Sequence, residues 1–250
     1  MKLAPWVLLG ALNLWGCQGQ NQTSPYSTPV AEQTTSNTSI AVTTSTPATS
    51  PTPEASETPG PKGSQKLEPL PGAKAPKITK VVKARFKTTR GDLIIEIYPE
   101  AAPNAAGRFI ELVKMGFYDK TPIFRVVPGF VAQFGINSKP KLKDYMDKNF
   151  KDDPSHFKLL PGTLAFAKAG KDTNSTQVFI NYGDNSQLVM QGGFTAFAKI
   201  TKGFEKTPDF KAIGDPSMGL DQGALRNDTE GYLKSLPEKP DMIEKAEILK

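Results

Sequence analysis

The strongest constraint on what this chain can fold into is a break in its composition near residue 77. Between Gln18 and Lys77, 19 of 60 residues are Ser or Thr, 10 are Pro, and Tyr26 is the only aromatic. Stretches such as Thr43-Thr44-Ser45-Thr46-Pro47 and Ser50-Pro51-Thr52-Pro53 carry too little apolar surface to offset the entropy of ordering a backbone. The segment reads as a linker, partly extended by its prolines. Nearly all the aromatics fall in the 173 residues from 78 to 250, a length that suits one domain. Residues 17–77 are therefore expected to tether that domain, and a spacer of no required length fits the composition equally well.

Ahead of the linker, Met1-Lys2 precedes an apolar run from Leu3 to Gly16. The run is about 14 residues, shorter than the roughly 20 needed to span a hydrocarbon core. A positive start, a short apolar stretch and small residues read as a secretory signal over 1–16. The run ends Leu14-Trp15-Gly16-Cys17, similar to the bacterial lipobox, in which the Cys becomes the lipidated first residue of the mature protein. Trp15 is bulkier than the residue usual at its position. On this reading Cys17 carries the acyl chains, palmitate among them, and the domain is held outside the cytoplasm on a bacterial membrane. Cleavage after Gly19 with release of a soluble protein is the alternative.

Several function classes are excluded early. One Cys in 250 residues cannot form an internal disulfide, and one His (His156) cannot build a poly-histidine metal site. A net charge of +6, dispersed along the chain, does not mark a nucleic-acid binder. Gly170-Lys171 lacks the upstream glycine of a phosphate loop, and the acidic stretch Asp144–Asp153 lacks calcium-loop spacing. His156 reads as a surface residue. No metal or cofactor is expected, and a monomer is.

Within 78–250, Val81 to Thr88 and Leu93 to Tyr98 read as a hairpin around Arg90-Gly91-Asp92. Pro103 opens a helix, and apolar residues at Ala102, Ala105, Ala106, Phe109, Leu112 and Val113 keep helical spacing until Gly116. Short strands are expected at 123–127, 130–134, 163–168, 177–181, 194–200 and 242–249. Thr207-Pro208 predicts the start of a second helix, and Pro140 that of a helical turn. Eight short strands and two helices predict a closed eight-stranded antiparallel β-barrel capped by two α-helices, a mainly β fold.

The segment Phe124-Arg125-Val126-Val127-Pro128-Gly129-Phe130-Val131-Ala132-Gln133-Phe134-Gly135 resembles the signature of cyclophilins, the peptidyl-prolyl cis-trans isomerases. Two further blocks follow at the family's spacing: Phe166-Ala167-Lys168-Ala169-Gly170 with Ser175-Thr176-Gln177-Val178-Phe179-Ile180, and Gly193-Phe194-Thr195-Ala196-Phe197-Ala198-Lys199-Ile200. The resemblance covers essentially all of 78–250. It implies the same capped barrel and an enzyme acting on Pro-containing polypeptides.

That reaction suits a chain poor in His and Cys. Resonance flattens the amide and raises a rotation barrier of about 18–20 kcal/mol. No bond breaks and no proton is transferred, so what helps is a group that favours the twisted amide over the planar one. In the twisted state the prolyl nitrogen regains a lone pair, to which a rigid, always-charged guanidinium can donate. The resemblance assigns this role to Arg125, with Phe130, Gln133 and Phe179 completing the catalytic set. It further implies an apolar pocket of Phe130, Val131, Phe179 and Met190, with Phe166 at its side. Ala167 and Lys168 would offer backbone hydrogen bonds to the peptide, Gln177 would line an adjoining groove, and Phe194 would face the pocket. A binding module that captures a Pro-containing segment with little turnover is the alternative, disfavoured because a pure binder need not keep the Arg.

Departures from the family pattern matter for specificity. Phe124 and Phe194 stand where many members carry His, and Val189 where many carry Trp, which implies weak binding of cyclosporin-type ligands. Ser138 to Tyr145 replaces the usual glycine-rich loop, which leaves the preference for the residue before proline open.

Overall fold

The computed structural model describes residues 67–214 and 220–250. The signal, Cys17 and the tether as far as Lys66 lie outside the described residues. Strand β1 (Val82–Thr88) buries Ala84, Phe86 and Thr88 and exposes the residues between them. Its hairpin partner β2 (Gly91–Ile97) buries Leu93, Ile95 and Ile97. The register Ala84↔Ile95 and Phe86↔Leu93 sets both apolar rows on one face, as period-two alternation requires.

Helix α1 (Pro103–Lys114) starts at its proline and buries five of the six apolar residues expected from their spacing; the sixth, Ala102, is buried just ahead of it as the N-cap. Its own N-cap, Ala102, offers no side chain to the free N–H groups. Asp153 supplies the cap from a distant loop, accepting from Asn104 N at 3.0 Å and Ala105 N at 2.8 Å. Burial holds the Asp153 carboxyl above its usual pKa in spite of these two donors.

The remaining elements are β3 (Thr121–Val127), β4 (Val131–Phe134), β5 (Thr163–Phe166), β6 (Val178–Asn181), α2 (Gln187–Gly192), β7 (Ala198–Lys202), α3 (Gln222–Asn227), α4 (Thr229–Ser235) and β8 (Met242–Ile248). The strands close into one barrel in the order β1-β2-β7-β5-β6-β4-β3-β8, every pairing antiparallel. This is the eight-stranded barrel the sequence predicts.

The barrel interior is largely aromatic. Phe86 stacks on Phe109 at 5.6 Å, Phe109 meets Phe197 at 5.0 Å, and Phe197 meets Phe166 at 5.1 Å. Tyr118 is wholly buried among them, and its hydroxyl donates to Thr176 O at 3.1 Å. A second apolar layer lies on the outer face of β4, β5 and β6, built on Val131, Ala165, Phe179, Phe157, Leu159 and Ala196. That outer layer carries the site.

Three expectations change. The helix predicted at Thr207-Pro208 is a 3-10 segment, Phe204–Asp209, with Pro208 inside it and Thr207 Oγ1 donating to Phe204 O. The hydroxyl closes a tight turn there instead of capping a longer helix. The second helical cap is the α3–α4 pair, in which Leu225 is fully buried in the main core. The turn predicted from Pro140 forms as a 3-10 segment over Lys143–Asp147. Finally, the packed chain begins earlier than its composition suggests. Leu67 is buried, and Leu70, Ala75 and Ile78 lie against the same outer layer as Phe157 and Phe179. Lys158 N donates to Glu68 O, and Leu70 N to the carbonyl of half-buried His156. The stretch 67–77, expected as the end of the tether, is thus an extended strap on the domain.

Candidate active site

The site is a row of side chains written across four strands by their register. Arg125 on β3 pairs with Gln133 on β4, Gln133 with Phe179 on β6, and Phe179 with Ala165 on β5. Directly opposed residues share a face, so these four project from the outer surface of the barrel. Their neighbours Phe124, Ala132, Phe134, Val178 and Ile180 belong to the interior core.

Arg125 reaches that face because of a bulge. Ile123 pairs with Phe134 and Arg125 with Gln133, so β3 spends one residue more than β4 between those two pairs. Strict alternation from Ile123 would have turned Arg125 inward against Ala132; the extra residue, Phe124, stays in the core and re-aims the arginine outward. The carbonyl of Phe124 accepts from Gly214 N at 3.2 Å.

The turn after β3 brings Phe130 over the row. Gly129 holds φ +71°, and Gly183 packs so closely that a Cβ on it would lie 2.4 Å from Gly129 O. The Phe130 carbonyl accepts from Tyr182 N at 2.8 Å and Asn185 Nδ2 at 2.9 Å. Asn185 is itself buried and also donates to Asn181 Oδ1 at 2.8 Å.

These residues enclose a groove of about 240 Å³ lined by Arg125, Phe130, Val131, Gln133, Ala167, Lys168, Phe179, Leu188 and Phe194. Phe194 meets Phe179 edge to face, centroids 5.7 Å apart. Gln133 Nε2 donates to Gln177 Oε1 at 2.7 Å, which fixes both amides at the mouth of an adjoining polar groove. That second groove, about 280 Å³, is lined by Ala169, Thr173, Ser175, Gln177 and Gln222, and shares Gln133, Ala167 and Lys168 with the first.

Most sequence-predicted site residues therefore meet in one place, with two corrections. Met190 is 85% exposed and does not line the groove. Helix α2 presents Leu188 there instead, because residues two apart on a helix point to nearly opposite sides. Phe166 faces the barrel interior against Phe197 and Phe150, since alternation along β5 gives the outer face to Ala165 and Ala167. Ala167 N also donates to Gln177 O at 2.9 Å, so this N–H is not available to a bound peptide. Leu188, Asn185, Gly183 and Gln222 are the site residues that sequence reasoning missed. A glycine followed two residues later by an Asn in a short loop after a strand, Gly183-Asp184-Asn185, is the available signal for the Phe130 turn. Among the described residues no cluster of three His, Cys, Asp or Glu is placed to hold a metal ion.

Comparison with known proteins agrees with this geometry. Residues 83–223 match the family model for cyclophilin type peptidyl-prolyl cis-trans isomerase/CLD. The chain is similar to peptidyl-prolyl cis-trans isomerase B of Escherichia coli, 30% identical over 57% of this chain and 92% of the relative. It is 38% identical to peptidyl-prolyl cis-trans isomerase B of Bacillus subtilis, over 44% of this chain and 76% of that one. It is 29% identical to peptidyl-prolyl cis-trans isomerase A of Dickeya dadantii, over 65% of this chain and 82% of the relative. With its barrel matched over more than half the chain and its groove assembled on the outer face, the protein belongs to the cyclophilin-type peptidyl-prolyl cis-trans isomerases.

Proposed function

We propose that isomerisation takes place in the groove at Arg125 and that the enzyme serves exported proteins from a lipid anchor at Cys17. The observation that carries the first half is the register row Arg125–Gln133–Phe179, turned outward by the bulge at Phe124. It sets a guanidinium beside an apolar floor. The proline ring packs on Phe130, Val131, Phe179 and Leu188, with Phe194 as a side wall, and this removes water from around the guanidinium. As the amide twists, the prolyl nitrogen gains a lone pair, and Arg125 donates a hydrogen bond that the planar amide cannot accept as well. Gln133, its amide fixed by Gln177, orients the substrate backbone, and the adjoining groove receives residues preceding the proline.

Arg125→Ala tests the mechanism. Loss of a preorganised donor is expected to lower kcat/KM about a hundredfold, by analogy with removal of an oxyanion donor. The measurement is Xaa-Pro exchange by NMR on wild type and variant. Wild-type exchange in the variant refutes the role of Arg125, and no exchange in either protein favours a binding module.

The second half rests on the apolar run from Leu3 to Gly16, the Cys17 that ends it, and the Ser/Thr/Pro-rich stretch that follows. Acylation contributes about 0.8 kcal/mol per buried CH₂, and two or more chains anchor stably. Cys17→Ser is expected to move the protein from the membrane to the soluble fraction while leaving kcat/KM on a free peptide unchanged. Mass spectrometry that finds Cys17 unmodified in the mature protein overturns the anchor.

A further inference from the structure

Lys168 stands out because its side chain is only 4% exposed, although it lies just beyond the end of β5 at a groove open to solvent. Lysines are almost never buried without a partner. Here Nζ donates to Asp152 Oδ2 at 2.7 Å and to Gly193 O at 3.2 Å, and the ring of Phe194 lies 5.5 Å from it. Asp152 is in turn fixed by Asn174 Nδ2 at 2.6 Å, and its own N–H donates to Asp172 Oδ1 at 2.8 Å. The ammonium therefore bridges a fixed carboxylate and the segment that carries the side wall of the groove.

That segment has no strand ladder of its own. It runs between α2 and β7, where the sequence predicts a strand from 194, and Gly193 ends the helix with φ +62°. Side chains hold it instead: Lys168 on Gly193 O, Ser155 Oγ on Phe194 O at 3.1 Å, and Thr195 Oγ1 on Asp153 O at 3.0 Å. Of these, Lys168 alone also lines the groove and faces the Phe194 ring.

We propose that Lys168, held by Asp152, is a positioning residue that fixes Phe194 as the side wall of the proline pocket. It acts on how well the proline ring is held, and Arg125 on the twist. The inference rests on the reading of this groove as the proline site.

The test is a double-mutant cycle on the full chain, with kcat and KM for one Xaa-Pro peptide measured by NMR exchange. Lys168→Met keeps the stem and removes the ammonium, and is expected to raise KM about five- to tenfold with kcat within about twofold. Phe194→Ala is expected to raise KM as much or more, and Lys168→Met in that background to add less than about twofold, because the wall it positions is gone. An unchanged KM in Lys168→Met, or the same five- to tenfold rise on top of Phe194→Ala, overturns the proposal. Should Lys168→Met fold poorly with Asp152 left unpaired, the cycle is run with Lys168→Met and Asp152→Asn together, which removes both charges. Phe194→Ala with wild-type KM refutes the reading of the groove itself, an outcome distinct from additivity in the cycle.

Discussion

Leu188 and Met190 show how much rides on single residues in this groove. They sit two positions apart on a six-residue helix, about 200° around its axis, so only one can face the floor. Leu188→Ala is expected to raise KM severalfold by removing part of that floor. Met190→Ser is expected to leave both constants within about twofold, since its side chain is already in water. Reversed effects in a steady-state comparison would refute this orientation of α2. Sequence could name Arg125, Gln133 and Phe179 because all three fall in blocks that resemble the family's motifs, although alternation along β3 alone would have turned Arg125 inward. It could not fix the phase of a helix barely longer than one turn.

Asp241 governs a different property. It accepts from Arg90 Nε at 2.8 Å, Lys211 N at 2.7 Å and Thr89 Oγ1, tying the β1–β2 turn to the start of β8. Burial pushes its pKa up, but these donors and the charge of Arg90 outweigh burial and hold it below the ordinary value. The folded state then prefers the carboxylate more than the unfolded chain does. Its contribution is complete above the unfolded value, near about 3.9, and is lost as pH falls through the lower folded value. Thermal melts between about pH 6 and pH 3 are expected to show a steeper acid loss in wild type than in Asp241→Asn. Parallel curves would remove Asp241 as a cause.

Among the elements, the β3–β4 pair shows most clearly what local pattern can and cannot specify. The strands themselves were legible: β3, β4 and β6 fall within two residues of their expected ends. The bulge was not, because Ile123-Phe124-Arg125 reads equally well as unbroken alternation, and only the closed barrel decides which side chain the interior accepts. The same holds for the start of β7, where 193–195 bonds to the 152–155 loop instead of the sheet, Ser155 Oγ donating to Phe194 O and Thr195 Oγ1 to Asp153 O. The Phe130 turn depends on a contact that only glycine permits, the close approach of Gly183 to Gly129 O. Gly183→Ala must move one backbone off the other, which breaks the Asn185 and Tyr182 hydrogen bonds to Phe130 O. A stability loss of about 1–3 kcal/mol is expected, with kcat/KM lowered about tenfold as Phe130 leaves the floor. Urea melts and peptide exchange on the same sample check both, and a variant that keeps wild-type values would show that the turn can relax.

At the scale of the molecule the strap from Leu67 to Ile78 and the groove share one apolar layer. Composition set the end of the linker at Lys77, since Pro69, Pro71 and Pro76 continue its character. Among the described residues packing already begins at Leu67, because a few apolar residues suffice when a prepared surface already exists for them. Leu67 is buried against the layer that holds Phe157 and Leu159, and the same layer holds Val131 and Phe179 of the proline pocket. Glu68 adds an ion pair to Lys158, whose pKa the hydrogen bond to Glu68 raises. An exposed pair of this kind contributes little, so the strap depends on its leucines. Leu67→Ala is expected to cost about 2–3 kcal/mol, a fall in Tm of roughly 5–10 °C for a domain of this size. A chain beginning at Ile78 is expected to lose at least as much, and to bind peptide more weakly, because Val131 and Phe179 lose part of the packing behind them. The comparison is calorimetry and peptide exchange on chains beginning at Lys66 and at Ile78. Equal Tm with equal KM would mean that the strap rests on the domain without supporting it. Equal KM with a lower Tm would confine its role to stability.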